Sequence, residues 1–290
     1  MPGYAFAPTI EAVASLPEYA DVHFIALDVS EGDLLDAHFP GYDYDPTNPA
    51  WASWSLPTNV YCAVYQEELA GFFAGYAAVK EGYRKLGFLG GMSVPAVIRY
   101  GHGFVQGADK AASELNADIS IKYVYGGQFF GDADITAVMD TWYADGTEVV
   151  FACGGGIFTS AGEAAQKVSG KVIGVDVDQK ATIDGLYGAG MTVTSAMKGL
   201  AATVKTCLNG LIKEDKFESK VENLGLVSGT DVEKNYVQLP VASWSMTNFS
   251  VNDYKALVNA VFTGTVTVSN SLDHPTVSSH TTVDYQADIK

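Results

Sequence analysis

The chain has 290 residues, 48% hydrophobic and 18% charged, and its 34 Asp and Glu against 17 Lys and Arg leave a net charge of −17. That balance excludes a nucleic-acid polymer as partner, because phosphate neutralisation needs clustered Lys and Arg, and the apolar share excludes disorder. No uncharged apolar run approaches the ~18 residues of a membrane span and no basic-then-apolar signal opens the chain, so the expectation is a soluble, unanchored protein of two lobes at roughly 150 residues each.

In chain order, Pro8 and Thr9 lead into Ile10, Val13 and Leu16, a helix opening after a loop that no strand precedes. His23 to Leu27 then reads as a strand. Glu31 to Asn59 carries five Asp or Glu, four Pro, two Tyr and two Trp and reads as a long acidic surface loop packed by its own aromatics. Its Asp43, Asp45 and Asn48 lack the spacing of a calcium loop, so no metal is expected. Further short apolar runs follow at Leu86 to Leu89, Ile119 to Val124, Val149 to Ala152 and Val172 to Val175. Their near-continuous apolarity predicts parallel strands covered on both faces, hence an α/β fold. Ile135, Val138, Met139 and Trp142 recur at helical spacing, as do Met197, Leu200, Val204 and Leu211. Ser250 with Asp253 resembles a capping box and predicts a helix from about Val251 to Gly264. Thr265 to Val268 and Thr281 to Tyr285 read as terminal strands or an extended tail. Cys62, Cys153 and Cys207 lie far apart and encode neither a disulfide framework nor a CxxC site; buried thiols are expected.

HExxH, GxSxG and GxxxxGKS/T are all absent, and His23, His38, His102, His274 and His280 are scattered, so no catalytic residue or cofactor motif is assigned. In open parallel sheets ligands bind outside the carboxyl ends of the strands, and those ends hold distinctive residues here. Asp28 follows the first strand, Gly90-Gly91-Met92 the next, Gly126-Gly127-Gln128-Phe129-Phe130 the third, Gly154-Gly155-Gly156 the fourth, and Asp176 with Asp178 the fifth. Glycines admit a ligand to the backbone, carboxylates accept hydrogen bonds from hydroxyls and aromatics stack on planar groups. Plainer readings stand beside these: Asp176 as a cap of the next helix, Phe129 and Phe130 as cover for the sheet. Lys198, predicted at a helix start where a cation opposes the macrodipole, points to a carboxylate or ligand oxygen nearby, with a solvated lysine as the alternative.

Taken together, Pro2-Gly3-Tyr4-Ala5-Phe6, Gln66 to Gly75, Gly87-Phe88-Leu89-Gly90-Gly91-Met92, Arg99 with Gly103-Phe104, Trp142 to Gly146, Val172 to Gln179 and Thr194 to Lys198 resemble the basic-membrane-protein (BMP, PnrA-like) family of ABC-transporter substrate-binding lipoproteins. The likeness runs along essentially the whole chain, down to Phe249 to Tyr254. It implies a type 1 periplasmic-binding-protein fold, two Rossmann-like lobes closing on a ligand in a cleft, with boundaries near 1–62 for the first lobe, 63–195 for the second, and 196–290 for the crossover, return segments and C-terminal helix and strands. It further implies a binding protein rather than an enzyme, located outside the cytoplasm, that delivers a purine nucleoside such as inosine, guanosine or adenosine to an ABC permease.

Carried over by motif, Asp28 matches a first-lobe carboxylate, Phe129 or Phe130 the second-lobe aromatic, Gly154 a strand-end glycine, Asp176 the ribose carboxylate and Lys198 the lysine after the crossover. The register leaves Phe129 and Phe130 as alternatives. The physical reading agrees: a carboxylate suits a ribose diol at roughly 1.5–3 kcal/mol per charge-assisted bond, and an aromatic stack adds about 1–3 kcal/mol per base. Family members begin with a lipoprotein signal and further βα units. At ~30 residues per unit, roughly 60–75 residues of the first lobe are expected to be missing here, together with the lipid anchor, and this form is expected to bind poorly. A sugar or furanose ligand, and an α/β nucleoside-processing enzyme using Asp176 or Asp178 as base, are the alternatives.

Overall fold

The computed structural model describes residues 3–39, 49 and 54–290. The strands in chain order are β1 (Phe24–Leu27), β2 (Val60–Tyr65), β3 (Lys85–Gly90), β4 (Ile119–Tyr125), β5 (Val149–Cys153), β6 (Lys171–Asp176), β7 (Thr192–Lys198), β8 (Lys220–Leu224), β9 (Val237–Gln238) and β10 (Thr281–Tyr285). The helices are α1 (Ala7–Ala14), α2 (Glu31–His38), α3 (Glu67–Glu81), α4 (Pro95–Leu115), α5 (Ala133–Ala144), α6 (Phe158–Val168), α7 (Lys180–Tyr187), α8 (Leu200–Glu214) and α9 (Val251–Phe262). They form two compact units, Met1–Tyr65 with Gly199–Leu224 and Gln66–Lys198 with Gly225–Lys290. Of the expected third segment, 199–224 therefore goes with the first unit, while 225–290, including α9 and β10, goes with the second.

The first unit is built on a parallel sheet of order β1-β2-β8. Ala7, Ile10 and Ala14 of α1 and Leu34 of α2 bury against Ala26, Val60 and Cys62. The acidic stretch predicted as a loop from Glu31 in fact opens with a helix. Ser30 Oγ accepts from the backbone amide of Asp33 at 3.1 Å, and the Asp33 carboxylate accepts from the backbone amide of Ser30 at 2.7 Å. This reciprocal cap satisfies two of the otherwise orphaned amides at the helix start. Asp43, Asp45 and Asn48 lie outside the described residues. Beyond them Trp54 and Leu56 pack on the core, and Asn59 Nδ2 donates to the carbonyls of Ala14, Tyr19 and Val22, fixing the turn after α1.

The second unit carries a sheet of order β10-β4-β3-β5-β6-β7-β9, parallel except for the β7–β9 pair. Trp142, Leu89, Val150 and Ile157 are among the residues that close the core between the sheet and α5 and α6. α3 and α4 meet through glycine: a Cβ on Gly71 would lie 2.1 Å from the carbonyl oxygen of Tyr100, and one on Gly103 2.0 Å from that of Glu68. Only backbone fits there, which is why glycines repeat at 71 and 75 and again at 103 and 107.

Two predicted elements need correction. Met197 and Lys198, predicted at the start of a helix, are the end of strand β7, and α8 begins at Leu200. Thr192, Thr194 and Ser195 of β7 are buried, so three of the seven residues of this covered strand bear hydroxyls and it does not read as an apolar run. Thr265–Val268 forms no strand, whereas Thr281–Tyr285 pairs in parallel with β4 at the sheet edge. The Ser250–Asp253 capping box is present as expected, with Asp253 N donating to Ser250 Oγ at 3.2 Å.

Candidate functional site

Because β3 to β7 are parallel, their carboxyl ends share one edge of the second unit. The glycines at that edge make room for a ring. A Cβ added to Gly91 would sit 2.5 Å from Phe129 Cδ1, and one added to Gly154 would sit 3.1 Å from the same atom. Phe129 thus packs against backbone that has no side chains to push it away, and it is half-buried. The adjacent Phe130 is 61% exposed, and its backbone makes a bridge with Gly156. Sequence leaves these two phenylalanines equivalent. The structure separates them by exposure, with Phe129 half-buried against the glycines and Phe130 largely in solvent.

Three strands along the sheet from β4, Asp176 closes β6 with φ at 65°, a left-handed conformation that costs a non-glycine residue on the order of 1 kcal/mol and concentrates at functional sites. Its Oδ1 lies 3.2 Å from Nζ of Lys198, whose side chain is only 5% exposed while that of Asp176 remains 33% exposed. Lys198 Nζ also stands 5.5 Å from the centre of the Tyr100 ring, within cation–π range. Tyr100, itself buried, donates its hydroxyl to the Ala196 carbonyl at 3.3 Å. A helix-cap role for Asp176 is not what the structure shows: the carboxylate that accepts from the first amide of α7, that of Lys180, belongs to Asp178 at 3.1 Å. The Asp176–Lys198 pair therefore presents a half-open carboxylate backed by a buried cation, a pairing suited to vicinal hydroxyls.

Gln179 holds this edge together and was not among the residues singled out by sequence. Its Oε1 accepts from Val175 N at 2.9 Å, its Nε2 donates to Gly155 O at 3.3 Å, and its backbone amide donates to Ser195 Oγ at 3.1 Å. The loop after β5 and the ends of β6 and β7 are thereby tied to one side chain. Only the family pattern Val172 to Gln179 hinted at it. Beneath them, burial first and the Asp176 charge second push the Cys153 thiol well above its ordinary range. Nearby on α3, Glu67 is buried and accepts from Arg99 Nε at 2.8 Å. Burial raises the carboxyl of Glu68 to about 7, opposed by the Glu68 backbone bond and by Arg99, whose Nε is 3.9 Å away.

Phe129, Phe130, Gly154, Asp176 and Lys198 are thus gathered at one edge of the second unit. Asp28 belongs to the first unit, where it directly follows β1 with φ at 57° and donates its amide to Ala63 O at 2.8 Å. It shares with Asp176 the strand-end position and the left-handed backbone. The histidines serve local structure: His38 bonds with Glu11, His102 with the Ser271 carbonyl and His280 with Asp118, while His274 stacks on Tyr285. Among the described residues no group of three or more His, Cys, Asp or Glu is placed to hold a metal, and no helix is long and apolar enough to cross a membrane.

A family model described as ABC transporter substrate-binding protein, PnrA-like, matches residues 2–253. The chain belongs to that family. Its members are substrate-binding proteins of ABC transporters rather than enzymes. Among similar proteins, the ABC transporter nucleoside-binding protein BmpA of Lactococcus lactis is 32% identical over 131 residues, covering 42% of this chain and 36% of that protein. Basic membrane protein A1 of Borrelia garinii is 29% identical over 197 residues, covering 66% and 55%. The matched region thus spans from about a third to just over half of those two relatives. In three dimensions, solute-binding proteins of ABC transporter systems from Aeropyrum pernix and Conexibacter woesei superpose with TM-scores of 0.64 and 0.58 at 16% and 20% identity. They cover 94% and 91% of this chain, and 83% of each of those proteins is matched. At that identity the likeness concerns the fold, which is the α/β, type 1 periplasmic-binding-protein fold expected from the family pattern.

Proposed function

We propose that the chain is the ligand-binding part of an ABC-importer substrate-binding protein that takes purine nucleosides. Asp176 receives the ribose hydroxyls, Lys198 holds that carboxylate in place and fills out the hydrogen bonding, and Phe129 stacks on the base, with Phe130 at the solvent rim. Gly154 and Gly91 keep the backbone flat beneath the aromatic. Asp28 is proposed as the ligand carboxylate of the first unit. The partner that receives the ligand is an ABC permease, and the full-length form works outside the cytoplasm at the cell membrane, held there by a lipid anchor.

The observation that carries this reading is the Asp176–Lys198 pair at 3.2 Å on the same strand-end edge as an aromatic ring seated on glycine. A carboxylate that accepts two hydroxyl protons is worth roughly 1.5–3 kcal/mol per charge-assisted bond, and the stack about 1–3 kcal/mol, so ribose and base each contribute measurably. Calorimetric titration with inosine, guanosine and adenosine tests it. Heat with nucleosides and none with ribose or free base is expected; heat with a free sugar or an amino acid alone would overturn the assignment.

A further inference from the structure

The loop from β4 to α5 carries both phenylalanines, and one carboxylate organises it. Asp132 Oδ1 accepts from the amides of Asp134 and Ile135, each at 3.0 Å, and so caps α5. Its Oδ2 accepts from Gln128 Nε2 at 2.7 Å and from the Lys290 ammonium. The same Gln128 Nε2 donates to the Phe130 carbonyl at 3.0 Å. A single nitrogen therefore joins the two ends of the turn that displays Phe129 and Phe130. The backbone of Asp132 is fixed as well: its amide donates to Ser160 Oγ at 3.0 Å, and that hydroxyl donates back to the Asp132 carbonyl at 3.1 Å.

Lys290 reaches this point because the chain after β10 continues alongside β4. Gln286 N donates to Tyr123 O and Ile289 N to Tyr125 O, both at 2.9 Å, Trp142 Nε1 donates to Gln286 Oε1 at 3.1 Å, and Ile289 packs on the core of the unit. The Lys290 backbone lies so close to Gly127 that a Cβ there would meet its carbonyl oxygen at 2.9 Å, and Gly127 has φ at 78°. The segment 286–290 and the aromatic loop are thus built to fit each other.

We propose that Asp132, with Gln128 and Lys290, is the positioning hub of the ligand-stacking aromatic, keeping Gln128 to Gly131 in the one shape that lays Phe129 on Gly91 and Gly154. This rests on the reading of Phe129 as the stacking residue. The hub touches no ligand itself; it acts by ordering the loop before binding, so that the ordering cost is not taken from the affinity. Its members are partly exposed, so Lys290 alone contributes little, whereas Gln128 contributes both of its bonds.

The test compares wild type with Gln128→Leu, Lys290→Met and Lys290→Arg, by inosine calorimetry and by hydrogen–deuterium exchange of amides 129–131 without ligand. Gln128→Leu is expected to weaken binding about 3- to 10-fold, the range that corresponds to one newly mobile side chain, and to speed exchange in the loop. Lys290→Met is expected to weaken binding about 2-fold, and Lys290→Arg to restore it because a guanidinium still reaches the carboxylate. Melting temperatures of all three should match wild type, separating positioning from folding. Wild-type affinity and exchange in Gln128→Leu would overturn the hub. If wild type binds no inosine, the nucleoside reading fails while the exchange comparison still decides the hub: faster loop exchange in Gln128→Leu supports it and an unchanged rate refutes it.

Discussion

Glu68 offers a prediction whose size and sign both follow from its surroundings. It sits in the first turn of α3, buried between that helix and α4, with like-charged Glu67 beside it and Arg99 Nε at 3.9 Å. Desolvation is the main cause that raises its carboxyl from 4.5 to about 7, with Glu67 adding to the rise and the Glu68 backbone bond and Arg99 opposing it. The folded state therefore binds this proton more tightly than the unfolded chain does. Between about pH 4.5 and 7 the native state holds the extra proton, so the stability linked to Glu68 falls as pH rises through that window. The rise from 4.5 to about 7, at about 1.36 kcal/mol for each pH unit, sets a ceiling of about 3 kcal/mol at pH 8. Glu68→Gln removes the cost of the buried charge, so the variant should be more stable than wild type by up to ~3 kcal/mol at pH 8, with the advantage fading to near zero at pH 4.5. At ~2–4 °C per kcal/mol for a chain of this order of size, the melting temperature should rise by up to about 6–12 °C at pH 8. Thermal melts of both proteins at pH 4.5, 6 and 8 measure this, because all other titrations cancel in the difference. A pH-independent difference, or a variant less stable at pH 8, would refute the reasoning and show that the Arg99 ion pair outweighs desolvation.

Other outcomes follow from the same geometry. Gly103→Ala would drive a Cβ to 2.0 Å from the Glu68 carbonyl oxygen and force α3 and α4 apart; a loss of at least ~1–3 kcal/mol is expected in urea unfolding, and a neutral substitution would contradict the backbone contact. Gly91→Ala would meet the Phe129 ring at 2.5 Å and displace it, so nucleoside affinity should fall about 10-fold or more with the fold retained by circular dichroism; unchanged affinity would remove Phe129 from the site. Burial raises the thiols of Cys62, to about 12, and of Cys153, and Cys207 is also raised. At pH 8 a thiol reagent should therefore react slowly with native protein and with all three cysteines in denaturant; rapid native reaction at Cys153 would contradict the packing.

What could be read in the sequence depended on how a residue's job is encoded. Strands β1 and β3 to β6 were visible because burial on both faces demands unbroken apolar runs such as Val149 to Ala152. β7 was hidden because its buried Thr192, Thr194 and Ser195 look like surface, and with it the placement of Lys198, which proved to end a strand. α2 was obscured by its acidic composition, although the Ser30–Asp33 spacing is the same signal that correctly marked the start of α9. The strand-end residues Phe129, Gly154 and Asp176 were legible by position, since parallel strands bring their carboxyl ends to one edge. Gln179, Tyr100 and the Asp132–Lys290 contact depend on residues 16 to 158 positions apart meeting in space, and no local pattern records such a meeting.

The central claim, that the Asp176–Lys198 pair and Phe129 form a purine nucleoside site, is tested most directly by inosine titration of wild type and Asp176→Asn in parallel. The account predicts weak but saturable binding to wild type and a further loss of about 10- to 100-fold in the variant, the cost of about 1.5–3 kcal/mol for a charge-assisted bond to a ribose hydroxyl. Equal affinity of the two proteins for inosine, with both folded, would contradict it.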